Sequence, residues 1–440
     1  MRLVHLGLGN FSRAHQAWYT HRALDAAHWG IAGFTGRSPT LADKLRPQDG
    51  LYTLVTKGPT GDQHEVIASM SAVYAAADGN AWLNHMRSSD VAVLTCTVTE
   101  AGYCRDASGD IDLNRSDVAL DLAGLRKQAT AQVRTAPGRM VSGLAARRAA
   151  GAGPLAIVPC DNLPDNGAAL QRVLLGLASV VDAGLTRWIE TNVSFVTTMV
   201  DRIAPEVTAA DRQAAAEATG MADAAPVVTE PYSEWVLSGD FPTGRPSWHD
   251  VGARFAADVA VFERRKLWLL NGGHSLLAYA GGLRGHLTVA EAIADPVCRV
   301  WTEQWWNEAA RHVGLPADVI AAYRMDLLER FANPGIRHLL AQIAADGTQK
   351  LPVRIVPVLR AERAEGRMPI GAIRALAGWL LHLRGCGVPR HDVAEASLVE
   401  LTTLGIESAA ARVVALVAPD LAADAATRSA VASEARRLGS

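Results

Sequence analysis

The first half of the chain alternates short, mostly apolar runs with segments of helical spacing. A short apolar run without polar alternation is typical of a strand that is buried on both faces. Strands of that kind, alternating with helices, indicate a parallel sheet covered by helices on both sides, so we predict a doubly wound α/β fold. The predicted strands are Leu3–Leu6, Trp29–Phe34, Val91–Val98 and Pro154–Val158, and the predicted helices cover residues 14–27 and 119–149.

The second half has a different pattern, because helical spacing continues from about residue 251 almost to the end of the chain. The stretch Pro226–Pro246 is rich in proline, glycine and aromatic residues, which is typical of a connection. We therefore predict two domains, a dinucleotide-binding domain at residues 1–245 and a mostly α-helical substrate and catalytic domain at residues 246–440. Breaks between helices are predicted at Gly281-Gly282, Asp295-Pro296, Asn333-Pro334 and Gly385–Pro389.

Composition narrows the setting in which the protein works. With a net charge of −2 over 440 residues, the chain gives no electrostatic reason to expect nucleic acid or an anionic membrane as partner. We find no run of about 18 apolar residues, so no membrane span is expected, and a strand at Leu3 leaves no room for a signal peptide. Five cysteines without a CxxC pair predict a cytoplasmic protein with reduced thiols and no metal site.

A glycine-rich turn follows the first predicted strand. Gly7 would permit a tight turn, and Gly9 would let a diphosphate approach the backbone at the start of a helix that opens with Asn10 and Phe11. These four residues are candidate cofactor contacts in a Rossmann-type domain. The third glycine of the usual motif is Ser12 here, and a purely structural turn is the alternative interpretation.

The sequence fits two cofactors, NAD and NADP. A domain that reads the ribose hydroxyl of NAD usually has an acid after its second strand, and this chain has Arg37 instead. Arg37 would suit the additional phosphate of NADP or would stack on adenine, so NAD is predicted with NADP still possible. After the third predicted strand, Thr97, Thr99 and Glu100 stand where a ligand would lie, although ordinary turn chemistry explains such residues equally well.

Glu263, Lys266, Asn271 and His274 are four of the polar side chains in the otherwise apolar helical segment 263–274. At about 100° per residue in an α-helix, Lys266, Asn271 and His274 would lie at about 300°, 80° and 20° from Glu263. All four would share one face among leucine and tryptophan side chains, which is unfavourable unless they are paired or take part in chemistry. A buried lysine with a lowered pKa can act as the base that removes the proton of an alcohol.

Eight segments resemble the polyol-specific long-chain dehydrogenase family, which includes mannitol 2-dehydrogenases and fructuronate reductases. They occur in the family order and extend from residue 7 to residue 352. The segments are GLGNFSRAH at 7–15, QDGLYTLV at 48–55, TVTEAGY at 97–103, CDNLPDNG at 160–167, MVDRIAP at 199–205, EPYSEWV at 230–236, KLWLLNGGHSLLAY at 266–279 and DGTQKLP at 346–352.

The resemblance implies metal-independent hydride transfer between the two predicted domains, and it assigns roles by position. In the family, a K-x4-N-x2-H pattern supplies the catalytic lysine, an asparagine that stabilises the oxyanion and a histidine that orients the substrate. An acid before the lysine relays protons, and the CDN asparagine completes the oxyanion hole. The matching positions are Lys266, Asn271, His274, Glu263 and Asn162, and the family's VDR acid, here a cofactor-side candidate, matches Asp201.

The substrate is expected to be a small polyol or hexonate. The favoured reaction is D-mannitol with NAD giving D-fructose and NADH, with Lys266 as general acid and base. The alternative is fructuronate reduction, because Gln342 stands where relatives that act on mannitol often have an arginine; Arg360, Arg337, His338 and Lys350 are then candidate carboxylate contacts. An alternative of another class is a non-catalytic module that senses NAD(P)H. The resemblance implies a monomer.

Overall fold

The computed structural model describes residues 1–127, 132–393, 401 and 403–440 of the chain. They form two compact units, Met1–Ala260 and Val261–Ser440. The domain boundary that we predict after residue 245 stays a prediction, since units defined by contacts need not coincide with domains. Within the described ranges, no helix combines the length and the apolar character that crossing a lipid bilayer requires.

The first unit is built on a six-stranded sheet in which every pair of neighbouring strands is parallel. The strands of the unit are β1 (Leu3–Leu6), β2 (Ile31–Phe34), β3 (Tyr52–Gly58), β4 (Gly61–Ile67), β5 (Met70–Tyr74), β6 (Val93–Cys96), β7 (Leu155–Pro159), β8 (Val193–Phe195), β9 (Thr197–Asp201), β10 (Val227–Thr229), β11 (Glu234–Ser238) and β12 (Arg254–Phe255). The order β5-β2-β1-β6-β7-β8 is that of a doubly wound dinucleotide-binding fold, so the predicted fold class is confirmed.

Both faces of this sheet are buried, which explains its mostly apolar strands. Successive side chains of a strand point to opposite faces. In β1, Leu3 packs into one apolar cluster, whereas Val4 and Leu6 pack into the cluster on the other face. All four predicted strands lie in this sheet, with their ends shifted by up to two residues.

Two small sheets complete the first unit, with the orders β10-β3-β4 and β12-β11-β9. The interpretation of Pro226–Pro246 as a connection is wrong, because β10 and β11 lie within it. The reason is pairing with distant segments. Val227 and Val228 of β10 pair with Leu54 and Val55 of β3, and β11 pairs antiparallel with β9.

The prediction of one helix over residues 119–149 is also wrong. The structure has two helices there, Ser116–Arg126 and Ala136–Ala149, and residues 128–131 of the prediction lie outside the described residues. The second helix begins at Thr135, whose Oγ1 accepts a hydrogen bond from the backbone N–H of Gly138 at 3.0 Å. The other α-helices of this unit are Asn10–Ala14, Gln16–Arg22, Thr40–Leu45, Gly79–Met86, Asn166–Ser179, Ala183–Asn192 and Ala209–Thr219, with 3-10 turns at Ala26–His28, Arg46–Gln48, Glu100–Tyr103 and Trp248–Val251.

Helices and helical turns are the named elements of the second unit's described residues, as the sequence predicts. The predicted breaks at Asp295-Pro296 and Asn333-Pro334 are confirmed, because helices begin at Pro296 and end at Ala332. A helix Ala260–Arg265 leads into this unit. Its α-helices are Gly272–Leu276, Val289–Ala294, Pro296–Val313, Ala317–Ala332, Leu340–Ala344, Gly347–Arg354, Val356–Ala364, Ile370–Leu383, Ile406–Val417 and Ala425–Gly439, with π-helical turns at Lys266–Asn271 and Leu277–Gly281 and a 3-10 turn at Pro419–Leu421.

Candidate active site

The glycine-rich turn lies at the carboxyl end of β1. Gly7 has a φ of +97°, and a Cβ atom there would be 2.1 Å from the carbonyl oxygen of Thr97, so only glycine fits. Gly9 is different, since its backbone is extended at φ −151° and the nearest atom to a Cβ would be the Gly7 oxygen at 3.7 Å. Gly7 therefore forms the turn, and Gly9 keeps the space beside it open for a ligand.

Neighbouring side chains hold the start of the helix that follows. Ser12, in place of the motif's third glycine, accepts a hydrogen bond from Gly9 N–H at 3.0 Å. The Oδ1 atom of Asn10 accepts a hydrogen bond from Arg13 at 2.9 Å, and Phe11 stacks on His15 at 5.1 Å between ring centroids. The side chains of Asn10 and Phe11 thus have partners inside the fold, and their proposed contacts with a cofactor stay predictions.

Thr97 follows β6, which is the neighbour of β1 at the point where the strand order reverses. Its hydroxyl donates to the carbonyl of Gly7 at 2.9 Å and also lies 3.2 Å from Nε2 of His5. Burial lowers the pKa of His5 to about 4, so this imidazole is neutral at neutral pH. The Thr97 side chain therefore supports the Gly7 turn, at the position where doubly wound folds bind ligands.

The loop after Thr97 presents the next two candidates to solvent. Thr99 has a φ of +67°, an uncommon conformation for a β-branched residue, and Glu100 lies 3.5 Å from Arg105. Both side chains are exposed. Backbone conformations of this kind concentrate at ligand-binding sites, where surrounding contacts hold them in place.

Asp161 holds Thr99 in its unusual backbone conformation, and the sequence analysis did not predict this role. Its carboxylate accepts hydrogen bonds from Thr99 N–H at 2.7 Å and from the Tyr103 hydroxyl at 3.1 Å. Burial raises the pKa of Asp161 to about 6. The next residue, Asn162, is exposed. Asp161 thus joins the loop that carries Thr99 to the loop that carries Asn162, and no periodic signal in the sequence marks such a contact.

The raised pKa of Asp161 predicts a pH dependence of stability. An unfolded chain retains the usual low pKa, so the folded protein binds more protons between about pH 4 and pH 6, and its stability falls as pH rises through that window, by at most about 3 kcal/mol. We expect the melting temperature of Asp161→Asn, relative to wild type, to increase between pH 4.5 and pH 7 in scanning calorimetry. Exposed Asp90→Asn is the control. A constant difference between Asp161→Asn and wild type would contradict the assignment.

Two candidate residues and a pocket lie near the carboxyl ends of β2, β5 and β9. Arg37 is exposed three residues beyond the end of β2, where an acid would be usual for NAD. A pocket of about 470 Å³, missed by sequence reasoning, opens beside the carboxyl end of β5, and Arg46, Tyr74 and Asp78 are among its lining residues. Asp201 is buried at the end of β9, opposite Glu234 of β11. The role of Arg37 as a cofactor contact stays a prediction.

In the second unit, Lys266 and Asn271 are the first and last residues of a π-helical turn. The Gly272 N–H donates to the carbonyl of Leu267, five residues earlier, and to that of Leu269, instead of to that of Trp268. The prediction of a helix is confirmed, but the α-helical angles are wrong, because a π turn rotates less per residue. Lys266 and Asn271 are half-buried, as is Glu263 in the preceding turn.

His274 is buried one turn further on. Its ring stacks on Phe331 at 4.5 Å and meets the edge of His338 at 4.8 Å. Burial, followed by the charges of His338, Arg330 and Arg354, lowers the pKa of His274 well below its usual value. The imidazole is therefore neutral at neutral pH, a form that has one donor and one acceptor nitrogen and no charge.

One cluster of metal-ligating residue types is present in the described residues of the second unit. Single ligand atoms of His286, Asp295 and Cys298 all lie within 4.8 Å of one another. The Asp295 carboxylate, however, is paired with Arg284 at 2.5 Å and caps the following helix through Val297 N–H at 2.8 Å. Burial raises the pKa of the Cys298 thiol to about 12, which disfavours a thiolate ligand. The contacts observed are those of an ion-paired helix start. All five cysteines are free thiols.

Comparison with known proteins gives matches over nearly the whole chain. Residues 1–250 match the mannitol dehydrogenase Rossmann domain, and residues 258–421 match the mannitol dehydrogenase C-terminal domain. A D-mannonate oxidoreductase of Escherichia coli is 40% identical over 394 residues, covering 87% of this chain and 80% of the relative.

Two solved structures are similar in fold. A D-sorbitol dehydrogenase in substrate-free form superimposes with a TM-score of 0.91 at 28% identity, covering 100% of this chain and 93% of the other. A mannitol 2-dehydrogenase of Pseudomonas fluorescens, in a ternary complex with NAD and D-mannitol, gives a TM-score of 0.80 at 31% identity, covering 99% of this chain and 90% of the other.

Proposed function

The chain belongs to the mannitol dehydrogenase family and is an oxidoreductase acting on CH–OH groups, and from this premise we propose that it interconverts a secondary alcohol of an open-chain sugar derivative with its ketone, using NAD. The observation that carries the proposal is the turn from Lys266 to His274. A half-buried lysine, an amide and a neutral imidazole lie there within nine residues. That set can remove a proton, stabilise an alkoxide and orient a hydroxyl without a metal.

The first unit fits NAD. Gly9 leaves open space beside the turn, and the strand order reverses between β1 and β6, next to it. We place the diphosphate against Gly7, Gly9, Asn10 and Phe11, the ribose near Arg37, and further contacts at Thr97, Thr99, Glu100 and Asp201. Bound NAD supplies the acceptor for the hydride. NADP stays possible, because no acid follows β2.

In the proposed mechanism, Lys266 removes the hydroxyl proton of the alcohol, and Glu263 passes that proton towards solvent. Asn271 and Asn162 donate to the developing alkoxide, a contribution of about 3 kcal/mol for each well-placed donor. The Asn271 amide suits this role, because it has no hydrogen-bond partner among the residues described in the structure. His274, neutral and held by Phe331, orients the substrate.

Two substrate pairs are candidates, and both are represented among the relatives. D-mannitol and D-fructose form the first pair, and D-mannonate and D-fructuronate form the second, with a carboxylate at one end. Gln342, at the position of the arginine of many mannitol-specific relatives, is exposed. Arg360 pairs with Asp420 at 2.6 Å, so it is already neutralised. Position 342 therefore does not supply the arginine contact of mannitol-specific relatives, and Arg360 is not the contact for a substrate carboxylate.

A specific observation favours the carboxylate pair. Arg354 is half-buried near His274, donates to Ser275 Oγ at 3.3 Å, and has no carboxylate partner in the parts of the chain that the structure covers. Burial and the charge of Arg354 lower the pKa of nearby Lys350. Asp346 and Asp392 also face Lys350 and oppose that shift. A substrate carboxylate at Arg354 would compensate this half-buried positive charge.

The experiment is a reductase panel with NADH and NADPH against fructose, fructuronate, tagaturonate and xylulose. We expect fructuronate to give the highest kcat/KM in the wild type. In Arg354→Gln, its KM should rise about 10- to 100-fold, the loss of one charge-assisted hydrogen bond, while KM for fructose changes little.

Arg360→Gln is the matched control, since it removes a guanidinium that is already paired. If Arg354→Gln weakens fructose and fructuronate equally, Arg354 does not recognise the carboxylate. If no sugar of the panel is reduced, the proposed activity itself is wrong.

Setting and assembly belong to the proposal as well. We propose a cytoplasmic enzyme, and the five free cysteines support it, because disulfides are rare in that compartment. We propose a monomer, as the resemblance implies; sedimentation would test it.

A further inference from the structure

The π-helical turn between Lys266 and Asn271 leaves backbone groups without their α-helical partners. In an α-helix, the Gly272 N–H would donate to the carbonyl of Trp268; here it donates to the carbonyls of Leu267 and Leu269. The Trp268 carbonyl then needs another donor, because a buried carbonyl without a hydrogen bond is destabilising. The Leu269 carbonyl already accepts from the Gly272 N–H and has a second lone pair for a further donor.

Two consecutive tryptophans of another helix donate hydrogen bonds to the carbonyls of Trp268 and Leu269. On helix Pro296–Val313, the indole N–H of Trp305 donates to the carbonyl of Trp268 at 2.9 Å, and that of Trp306 donates to Leu269 at 2.8 Å. Both tryptophans are fully buried. An indole has one N–H and no acceptor, so each tryptophan is committed to this bond.

The two glycines after the π turn make room for these rings. A Cβ atom on Gly272 would lie 2.6 Å from Cζ2 of Trp305, and one on Gly273 would lie 3.1 Å from Nε1 of Trp306. The close approach therefore depends on both glycines and both tryptophans.

The helix that carries the tryptophans is itself fixed. Asp295 caps its first turn and pairs with Arg284 and His286. Further along, Glu308 accepts hydrogen bonds from the backbone N–H groups of Gly371 and Ala372 at 2.8 and 3.0 Å. The indole donors are thus held from outside the segment that they contact.

We propose that Trp305 and Trp306 are positioning residues of the active site, which hold the segment 266–271 in its π conformation and thereby set Asn271 and His274 relative to Lys266. A return to α-helix would rotate the amide and the imidazole about the helix axis away from the lysine. The inference rests on the proposed function, because it concerns the residues that carry it.

The test compares three variants of one helix. Trp305→Phe and Trp306→Phe remove an indole donor, whereas Trp301→Phe removes a buried indole that lies 5.0 Å from Arg374 and makes no hydrogen bond to the π turn among the described residues. We expect kcat to fall about 100-fold in the first two variants and to change little in Trp301→Phe, with the Kd for NADH unchanged in all three. The pH profile of kcat/KM should shift in the first two variants only.

Replacing Trp305 with benzothienylalanine keeps the ring but removes the N–H, so it separates donor loss from cavity formation and should also lower kcat. If it folds and retains wild-type kcat, or if Trp305→Phe and Trp306→Phe behave as Trp301→Phe does, the inference is overturned. Lys266→Ala is assayed alongside. Full activity in that variant rejects the proposed mechanism, whereas its inactivity with unaffected tryptophan variants rejects only the role of the tryptophans.

Discussion

Replacing Lys266 with alanine should lower kcat by about 10²- to 10⁴-fold at neutral pH, because the variant has no general base for the alcohol proton. Lys266 begins the π turn and is half-buried. The Kd for NADH should stay unchanged, because the cofactor is assigned to residues of the first unit. Steady-state reduction of the best panel sugar gives kcat, and NADH fluorescence gives the Kd.

A matched control is Lys44→Ala, which removes an exposed lysine from the helix Thr40–Leu45 and should leave kcat unchanged. Added primary amine should restore part of the activity of Lys266→Ala, since a small amine can enter the space left by the side chain and accept the proton. Unchanged turnover in Lys266→Ala would remove the lysine from the mechanism, whatever the substrate.

The predictable parts of the fold are those in which buried residues recur at regular spacing along the chain. β1 and β6 are mostly apolar runs because both of their faces are covered, and this pattern is visible without any structure. β10 was not predictable, because Val227 and Val228 form a strand only through pairing with β3, far away in the sequence. The start of the helix Ala136–Ala149 depends on the Thr135 side-chain cap, and the long alanine-rich pattern of helical spacing gives no sign of a break there.

The candidate site also has residues that were predictable from the sequence and residues that were not. Gly7, Gly9 and the Lys266 segment were predictable, because their residue types and spacing carry a chemical meaning. Asp161 was not, since its role depends on contacts with Thr99 and Tyr103 across about 60 residues. The π turn at Lys266 was not predictable either. It depends on donors from Trp305 and Trp306, and an α-helical projection assumes that no such donors exist.

Gly9→Ala should produce a protein that folds normally and binds NADH on the order of 100-fold more weakly, equivalent to about 2.8 kcal/mol. The extended backbone of Gly9 accepts any residue, and a Cβ atom there meets nothing closer than 3.7 Å. The added methyl group instead occupies the space assigned to the diphosphate. Calorimetry should show an unchanged melting temperature, and NADH titration should show the weaker binding.

Gly7→Ala is the matched contrast, because the same methyl group would lie 2.1 Å from the Thr97 carbonyl on a backbone with positive φ. We expect that variant to lose stability, by about 1–3 kcal/mol from overpacking alone. Comparing the two variants distinguishes a glycine that the turn requires from a glycine that leaves space for a ligand. If Gly9→Ala binds NADH as tightly as the wild type, the diphosphate does not lie against Gly9. If Gly9→Ala melts early, as Gly7→Ala should, that glycine is structural, which is the alternative interpretation of the motif.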